Sequence, residues 1–217
     1  GTAPDKISVI PNWAPIDRMP ALDKRNAWSL AHGLEDKFVF LYSGTLGMKH
    51  NPELLLALAE RFEGDGGVRI VVISEGLGAD WLRTEGVKRG LQNLVILPYQ
   101  PFEDLPRVLA TGDVLTGVLE EDAGVFSVPS KVLSYLCASR AILLAVPRVN
   151  LAARIIETER AGITVPPADT AAFADAAERL YTHPELATRF ALNARAYAEK
   201  TFDIRSISER FEKIIGQ

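Results

Sequence analysis

Residues 38–52 read Phe38-Val39-Phe40-Leu41-Tyr42-Ser43-Gly44-Thr45-Leu46-Gly47-Met48-Lys49-His50-Asn51-Pro52. The unbroken apolar and aromatic run at 38–42 has the character of a strand covered on both faces. Pro52 suits the first position of a helix over 52–62, with Asn51 as its N-cap. A strand, a glycine turn and a helix make one βα unit. Gly44 and Gly47 let backbone approach a ligand closely, and the helix that follows offers unpaired N–H groups and a partial positive charge. That is a physical anion site, although βα turns in any parallel sheet carry glycine and small polar residues. Its meaning depends on the rest of the chain.

Outward from this unit the same alternation repeats. Short apolar, β-branched runs at 69–73, 94–97, 114–118, 141–145 and 162–165 are strand candidates, with helical stretches at 104–110, 129–138 and 151–159 between them. At least five βα units predict an α/β fold: a single Rossmann-like domain with a mostly parallel sheet flanked by helices. Stretches 171–181, 184–200 and 204–215 are helical with no further strand, so they close the domain. The first 35 or so residues differ, with a short strand expected at 7–10, a turn at Pro11-Asn12-Trp13 and a helix over 19–32. A start at Gly1-Thr2-Ala3-Pro4 is expected of a segment that begins inside a longer protein.

Composition narrows the chemistry. The chain has 217 residues, the span of one domain, and 24 Lys and Arg against 28 Asp and Glu give a net charge of -4. No nucleic-acid partner is expected, because phosphate-backbone binding needs many clustered cations. Phosphate chemistry, if present, must be local. The single Cys137 sits in an apolar run that reads as buried helix and excludes an internal disulfide. A cytoplasmic location is the expectation, with peripheral attachment of a longer parent at the inner face of the membrane left open. No apolar stretch nears the roughly 18 residues of a membrane span. His32, His50 and His183 lie far apart without Cys or carboxylate partners at metal-ligand spacing, so no metal is expected, and no cofactor. Glu75-Gly76-Leu77-Gly78 is too isolated to count as a dinucleotide motif.

Two further segments carry chemistry. In Phe126-Ser127-Val128-Pro129-Ser130-Lys131-Val132-Leu133-Ser134-Tyr135-Leu136, either Ser127 or Ser130 can cap a helix beginning near Pro129, which puts Lys131 in its first turn. A cation there opposes the helix dipole by roughly 0.3 to 1 kcal/mol. A charge-assisted bond to a bound anion, about 1.5 to 3 kcal/mol, would offset that cost. The third segment, Leu97-Pro98-Tyr99-Gln100-Pro101-Phe102, follows a strand and precedes a helix.

Together these segments resemble the retaining glycosyltransferases of family 4, also called group 1, in their bacterial polysaccharide-biosynthesis branch. Lys6-Ile7-Ser8-Val9-Ile10-Pro11-Asn12 resembles the stretch by which that family's chain passes into its C-terminal domain. Residues 42–47 resemble its glycine loop, and residues 127–136 its donor-site helix. The resemblance covers nearly the whole chain. It implies the donor-binding C-terminal half of a GT-B fold, with the N-terminal acceptor domain of the same polypeptide absent. It also implies retaining transfer from a nucleotide diphosphate sugar, most readily a UDP-sugar, to a saccharide or lipid-linked acceptor, with little activity from this half alone. The family usually grips the diphosphate with two cations after the glycine loop. Here Thr45 stands at the Arg position, the Lys matches Lys49 or His50 only with a small offset, and Lys131 would supply the missing charge. The family's two glutamates seven residues apart are absent: Ser134 stands at the second, and Glu120 and Glu121 precede a longer loop. The turn at Tyr99 and Gln100 would read the base through backbone groups, with Tyr99 or Phe102 stacking. The implied site is therefore Lys131 and Lys49 as charge-stabilising catalytic groups, with Gly44, Thr45, Gly47, His50, Tyr99, Gln100, Glu121, Ser130 and Ser134 contacting the donor. Two alternatives stay open: half of a UDP-sugar 2-epimerase, and a non-catalytic nucleotide-sugar-binding or scaffold domain.

Overall fold

A computed structural model describes residues 7–10, 12–119 and 130–216. Among these described residues six strands form one sheet: β1 Phe38–Ser43, β2 Val68–Ile73, β3 Leu94–Leu97, β4 Val114–Val118, β5 Ala141–Ala145 and β6 Gly162–Val165. Their order is β3-β2-β1-β4-β5-β6, and every neighbouring pair is parallel. The helices are α1 Ala27–Ala31, α2 Glu53–Arg61, α3 Leu77–Arg89, α4 Leu105–Thr111, α5 Ser130–Cys137, α6 Leu151–Thr158, α7 Thr170–Thr182, α8 Pro184–Thr201 and α9 Ile204–Ile215.

Strand residues alternate between two cores, as the period of a pleated strand requires. Val39, Leu41 and Val71 face Leu109 of α4, Val132 and Leu136 of α5 and Ile156 of α6. Phe40, Tyr42, Ile70 and Val72 face Leu54 and Leu58 of α2, Leu82 of α3 and Phe173 of α7. This double burial is why the strands read as unbroken apolar runs.

The strand order reverses between β1 and β4. The chain leaving β1 goes to α2 on one face, and the chain reaching α5 after β4 lies on the other. A crevice therefore opens at the carboxyl ends of these two strands, the place where open α/β sheets bind ligands.

The strands at 94–97, 114–118, 141–145 and 162–165 fall where the sequence put them, β1 extends to Ser43, and β2 starts at Val68. Four expectations need correction. Residues 7–10 form no strand. Within 19–32 only Ala27–Ala31 is α-helical, because Asn26 accepts from the Trp28 and Ser29 amides while Ser29 Oγ accepts from the Asn26 amide, a reciprocal cap that starts the helix there. Asn51 does not cap α2: it sits at φ +46° and its side-chain amide donates to the Pro167 carbonyl at 3.1 Å. Helix α3 was not expected at all. Its large apolar residues Leu77 and Val87 point outward, and its buried face is Gly78, Ala79, Leu82 and Gly86, which leaves no apolar stripe to recognise. No described helix is long and apolar enough to cross a membrane.

Candidate functional site

The crevice holds a cleft of about 590 Å³. Ser43, Gly44, Thr45 and His50 line it from the end of β1 and the loop beyond, and Val118 and Leu119 from the end of β4. Leu105 and Leu109 of α4 form an apolar wall, and Ser130, Lys131, Ser134 and Tyr135 of α5 face it. Two segments almost ninety positions apart in sequence thus share one cavity.

Among the described residues that line the cleft, Lys131 is the one Lys or Arg. Its side chain lies against the Cα of Gly44, so that a β-carbon built on residue 44 would be 3.1 Å from both Cε and Nζ. Gly44 has φ +131°, a conformation that side-chain-bearing residues rarely adopt, so absence of a side chain serves both the turn and the lysine. The ammonium rests 3.8 Å from the centre of the Tyr42 ring, whose negative face attracts it. Among the described residues no carboxylate pairs with it, and burial pushes its pKa down to about 7. A half-buried cation seated on an aromatic ring is a poor structural device and a ready partner for an anion.

The glycine loop is held from several sides. The Tyr42 hydroxyl, kept protonated by burial, donates to the Thr45 carbonyl at 2.7 Å. The Gly44 amide donates to the Ile73 carbonyl at 3.0 Å, and the Gly47 amide to His50 Nδ1 at 3.0 Å. From outside, the Gly78 amide at the start of α3 donates to the Leu46 carbonyl at 3.2 Å, so closely that a β-carbon on Gly78 would lie 2.3 Å from that oxygen. Glu75-Gly76-Leu77-Gly78 thus serves as a close-packing helix start beneath the loop.

Of the residues expected in the site, Gly44, Thr45, His50, Ser130, Lys131 and Ser134 come together in the cleft. Gly47, Tyr99 and Gln100 do not line it. The Gly44 and Gly47 amides are committed within the protein. Tyr99 stands at the rim with its hydroxyl 3.4 Å from Thr45 Oγ1, while its amide donates to Glu75 Oε1 at 3.1 Å. The Gln100 side chain accepts from Trp28 Nε1 at 3.0 Å and donates to the Pro98 carbonyl at 2.9 Å. The Lys49 side chain, Glu120, Glu121, Asp122 and the capping position Ser127 fall outside the described residues. Sequence reasoning missed Tyr42 and Tyr135 as parts of the site. The available signal was a tyrosine inside an otherwise apolar run, since a buried hydroxyl needs a partner. Among the described residues no three His, Cys, Asp or Glu side chains converge to hold a metal ion.

The comparisons agree with this architecture. Residues 37–183 match the family of glycosyl transferases group 1, and the chain belongs to that family. It is similar to WcaI of Escherichia coli, named for colanic acid biosynthesis, at 26% identity over 97% of this chain and 52% of that protein. It is also similar to the alpha-D-kanosaminyltransferase of Streptomyces kanamyceticus, at 27% identity over 84% of this chain and 46% of that protein. The chain thus spans about half the length of the curated relatives it matches. Among solved structures, Anabaena HepE in complex with UDP and glucose superposes with a TM-score of 0.80 at 16% identity, over 97% of this chain and 56% of HepE. The C-terminal domain of the group 1 glycosyl transferase LpcC from Francisella tularensis superposes with a TM-score of 0.73 at 16% identity, over 88% of this chain and 99% of that one.

Proposed function

We propose that this chain is the nucleotide-sugar-binding C-terminal half of a glycosyltransferase, which takes a sugar from a nucleoside diphosphate, a UDP-sugar by preference, and passes it with retention to a saccharide or lipid-linked acceptor bound by a second half. The observation that carries the reading is the convergence of Lys131 on Gly44 at the point where the strand order reverses. LpcC supports the domain assignment, because its separately solved C-terminal domain is covered almost whole. HepE, crystallised with UDP and glucose, supports the choice of donor.

In this reading the diphosphate enters the cleft and draws the Lys131 ammonium off the Tyr42 ring toward its oxygens. Negative charge grows on the diphosphate as the glycosidic bond to it breaks, and a cation already in place lowers the energy of that charge without waiting for solvent to reorganise. Lys49 adds a second positive charge from the loop. Ser134, on the same wall as Lys131, offers a hydroxyl to the ribose, Ser130 and His50 complete the polar wall, and the turn at Tyr99 and Gln100 edges the base.

Calorimetric titration of the chain with UDP and with GDP tests the binding claim: saturable heat with UDP is expected, and no binding of either at millimolar concentration would point to a scaffold instead. For catalysis, donor turnover by the full-length protein should fall by two to three orders of magnitude on Lys131→Ala, within the range of about 10²–10³ seen when one preorganised charge-stabilising donor is removed. Unchanged turnover would remove Lys131 from the chemistry.

A further inference from the structure

The pairing of β1 with β4 ends before the strands do. β1 pairs with β2 along its whole length to Ser43, and β4 pairs with β5 to Val118, but the described register between β1 and β4 holds only Phe40 opposite Val114 and Leu41 opposite Leu115. Beyond Leu41 no described register joins the two strands, and residues at their carboxyl ends, Ser43 and Val118, line the cleft. Backbone groups left by an interrupted ladder inside a protein must find other partners.

A side chain supplies them. Tyr135, fully buried on α5, places its hydroxyl in the gap, where it accepts from the Ser43 amide at 3.0 Å and lies 3.2 Å from the Ser43 carbonyl and 3.1 Å from the Thr116 carbonyl. The one proton of the hydroxyl serves one of these carbonyls at a time. The group therefore touches β1, β4 and the helix behind them at one point. Ser43 precedes Gly44, and Lys131 is one helical turn before Tyr135 on the same face of α5. The pin thus ties the residue next to Gly44 to the helix that carries Lys131.

We propose that Tyr135 is a positioning residue of the anion site, its hydroxyl fixing how far β1 and β4 separate and so where the Gly44 loop meets Lys131. The proposal rests on the reading of the cleft as a diphosphate site, but its geometric part can be measured without ligand.

The experiment compares the wild-type chain with Tyr135→Phe, which keeps the ring and removes the oxygen, and with Ile156→Val as a control, a small cavity in α6 away from the cleft. In the ligand-free proteins, nuclear magnetic resonance reads the Gly44 amide shift, the exchange rate of the Ser43 amide and the titration of Lys131. In Tyr135→Phe the Gly44 signal should move, Ser43 should exchange at least tenfold faster, and the Lys131 midpoint should shift, none of which should happen in Ile156→Val. UDP affinity should weaken about tenfold in Tyr135→Phe alone, the size of one hydrogen bond's worth of misplacement. Unmoved Gly44 and Lys131 signals together with unchanged UDP affinity in a folded Tyr135→Phe would overturn the proposal. Wild-type protein that binds no UDP would sink the diphosphate reading while the ligand-free signals still decide the role of Tyr135. Should Tyr135→Phe fail to fold, replacing Tyr135 by 4-aminophenylalanine keeps a donor to the carbonyls and loses the acceptor for the Ser43 amide. A native Gly44 shift and native affinity in that protein would count against the pin.

Discussion

The ammonium of Lys131 lies over the α-carbon of Gly44 and over the ring of Tyr42, two positions that belong to the strand and turn at the opposite side of the crevice. Residue 44, at φ +131°, admits no side chain without strain, and the burial that lowers the Lys131 pKa to about 7 costs stability while the lysine is charged. Side by side they line one cleft, and in the function proposed for that cleft they act as a joint receptor for negative charge.

Gly44→Ala tests the backbone half of this pair. The alanine must either hold a strained φ or twist the turn, at a cost of about 1–3 kcal/mol, and its methyl displaces the lysine tip. A lower melting temperature and UDP binding weakened at least tenfold are expected, the latter equal to about 1.4 kcal/mol. Full affinity in a folded Gly44→Ala protein would show that the contact is incidental.

The lysine half predicts a pH signature. The folded pKa of Lys131, about 7, is below the ordinary lysine value of 10.5. The unfolded chain therefore holds more protons between these two values, and stability rises with pH across that window. The penalty for burying the charge is full below about pH 7 and fades as pH approaches 10.5. Lys131→Met should accordingly be more stable than wild type at pH 6, by about 1–2 kcal/mol once relaxation of the half-buried chain toward water is allowed for, with the gain shrinking at pH 10. Chemical denaturation at the two pH values checks this, and a gain that grows with pH would contradict it.

Ligand binding carries the opposite proton flow. A diphosphate favours the charged lysine, so binding takes up a proton above pH 7 and affinity falls as pH rises from 7 to 9. Calorimetry in buffers of different ionisation enthalpy measures the uptake directly, and Lys131→Met should abolish it.

The supporting contact from α3 gives a separate test. An added methyl at residue 78 would sit 2.3 Å from the Leu46 carbonyl oxygen, a backbone atom that cannot swing aside. Gly78→Ala should destabilise the chain by about 1–3 kcal/mol, the usual range for overpacking, and shift the amide signals of residues 44–47. Resonances unmoved from wild type would mean that α3 does not hold the loop.

Cys137 offers a check on the packing of α5. It is fully buried, and burial pushes its thiol up to about 11, so it is protonated and shielded at pH 8. A thiol reagent should label the native chain orders of magnitude more slowly than the chain in denaturant. Comparable rates would show α5, and Lys131 with it, to be loosely held.

Much of this was legible in the sequence, for identifiable reasons. Strands buried on both faces announce themselves as unbroken runs such as Phe38 to Tyr42, and helices α7 to α9 show an apolar period or clear flanking signals. A cation in the first turn of a helix asks for an anion, but that the Gly44 turn shares the site with the Lys131 helix was legible only through the resemblance to the group 1 glycosyltransferases. What was hidden depended on atoms that are missing or on long-range partners. Helix α3 packs through Gly78, Ala79 and Gly86, which leave no hydrophobic pattern. Asn51 has the composition of a cap, but its amide is drawn away to the Pro167 carbonyl. Tyr135 reads as one more core aromatic until the fold sets its hydroxyl beyond the end of the β1–β4 register, against three backbone groups.

The most direct test maps where UDP touches the chain, by recording backbone amide shifts during titration. The largest changes are expected at Gly44, Thr45, His50 and Ser130 to Ser134, and they should disappear in Lys131→Met. Changes centred instead on the hollow at the opposite end of the strands, around Glu63, Arg69 and Asn93, or a map untouched by Lys131→Met, would contradict the assignment.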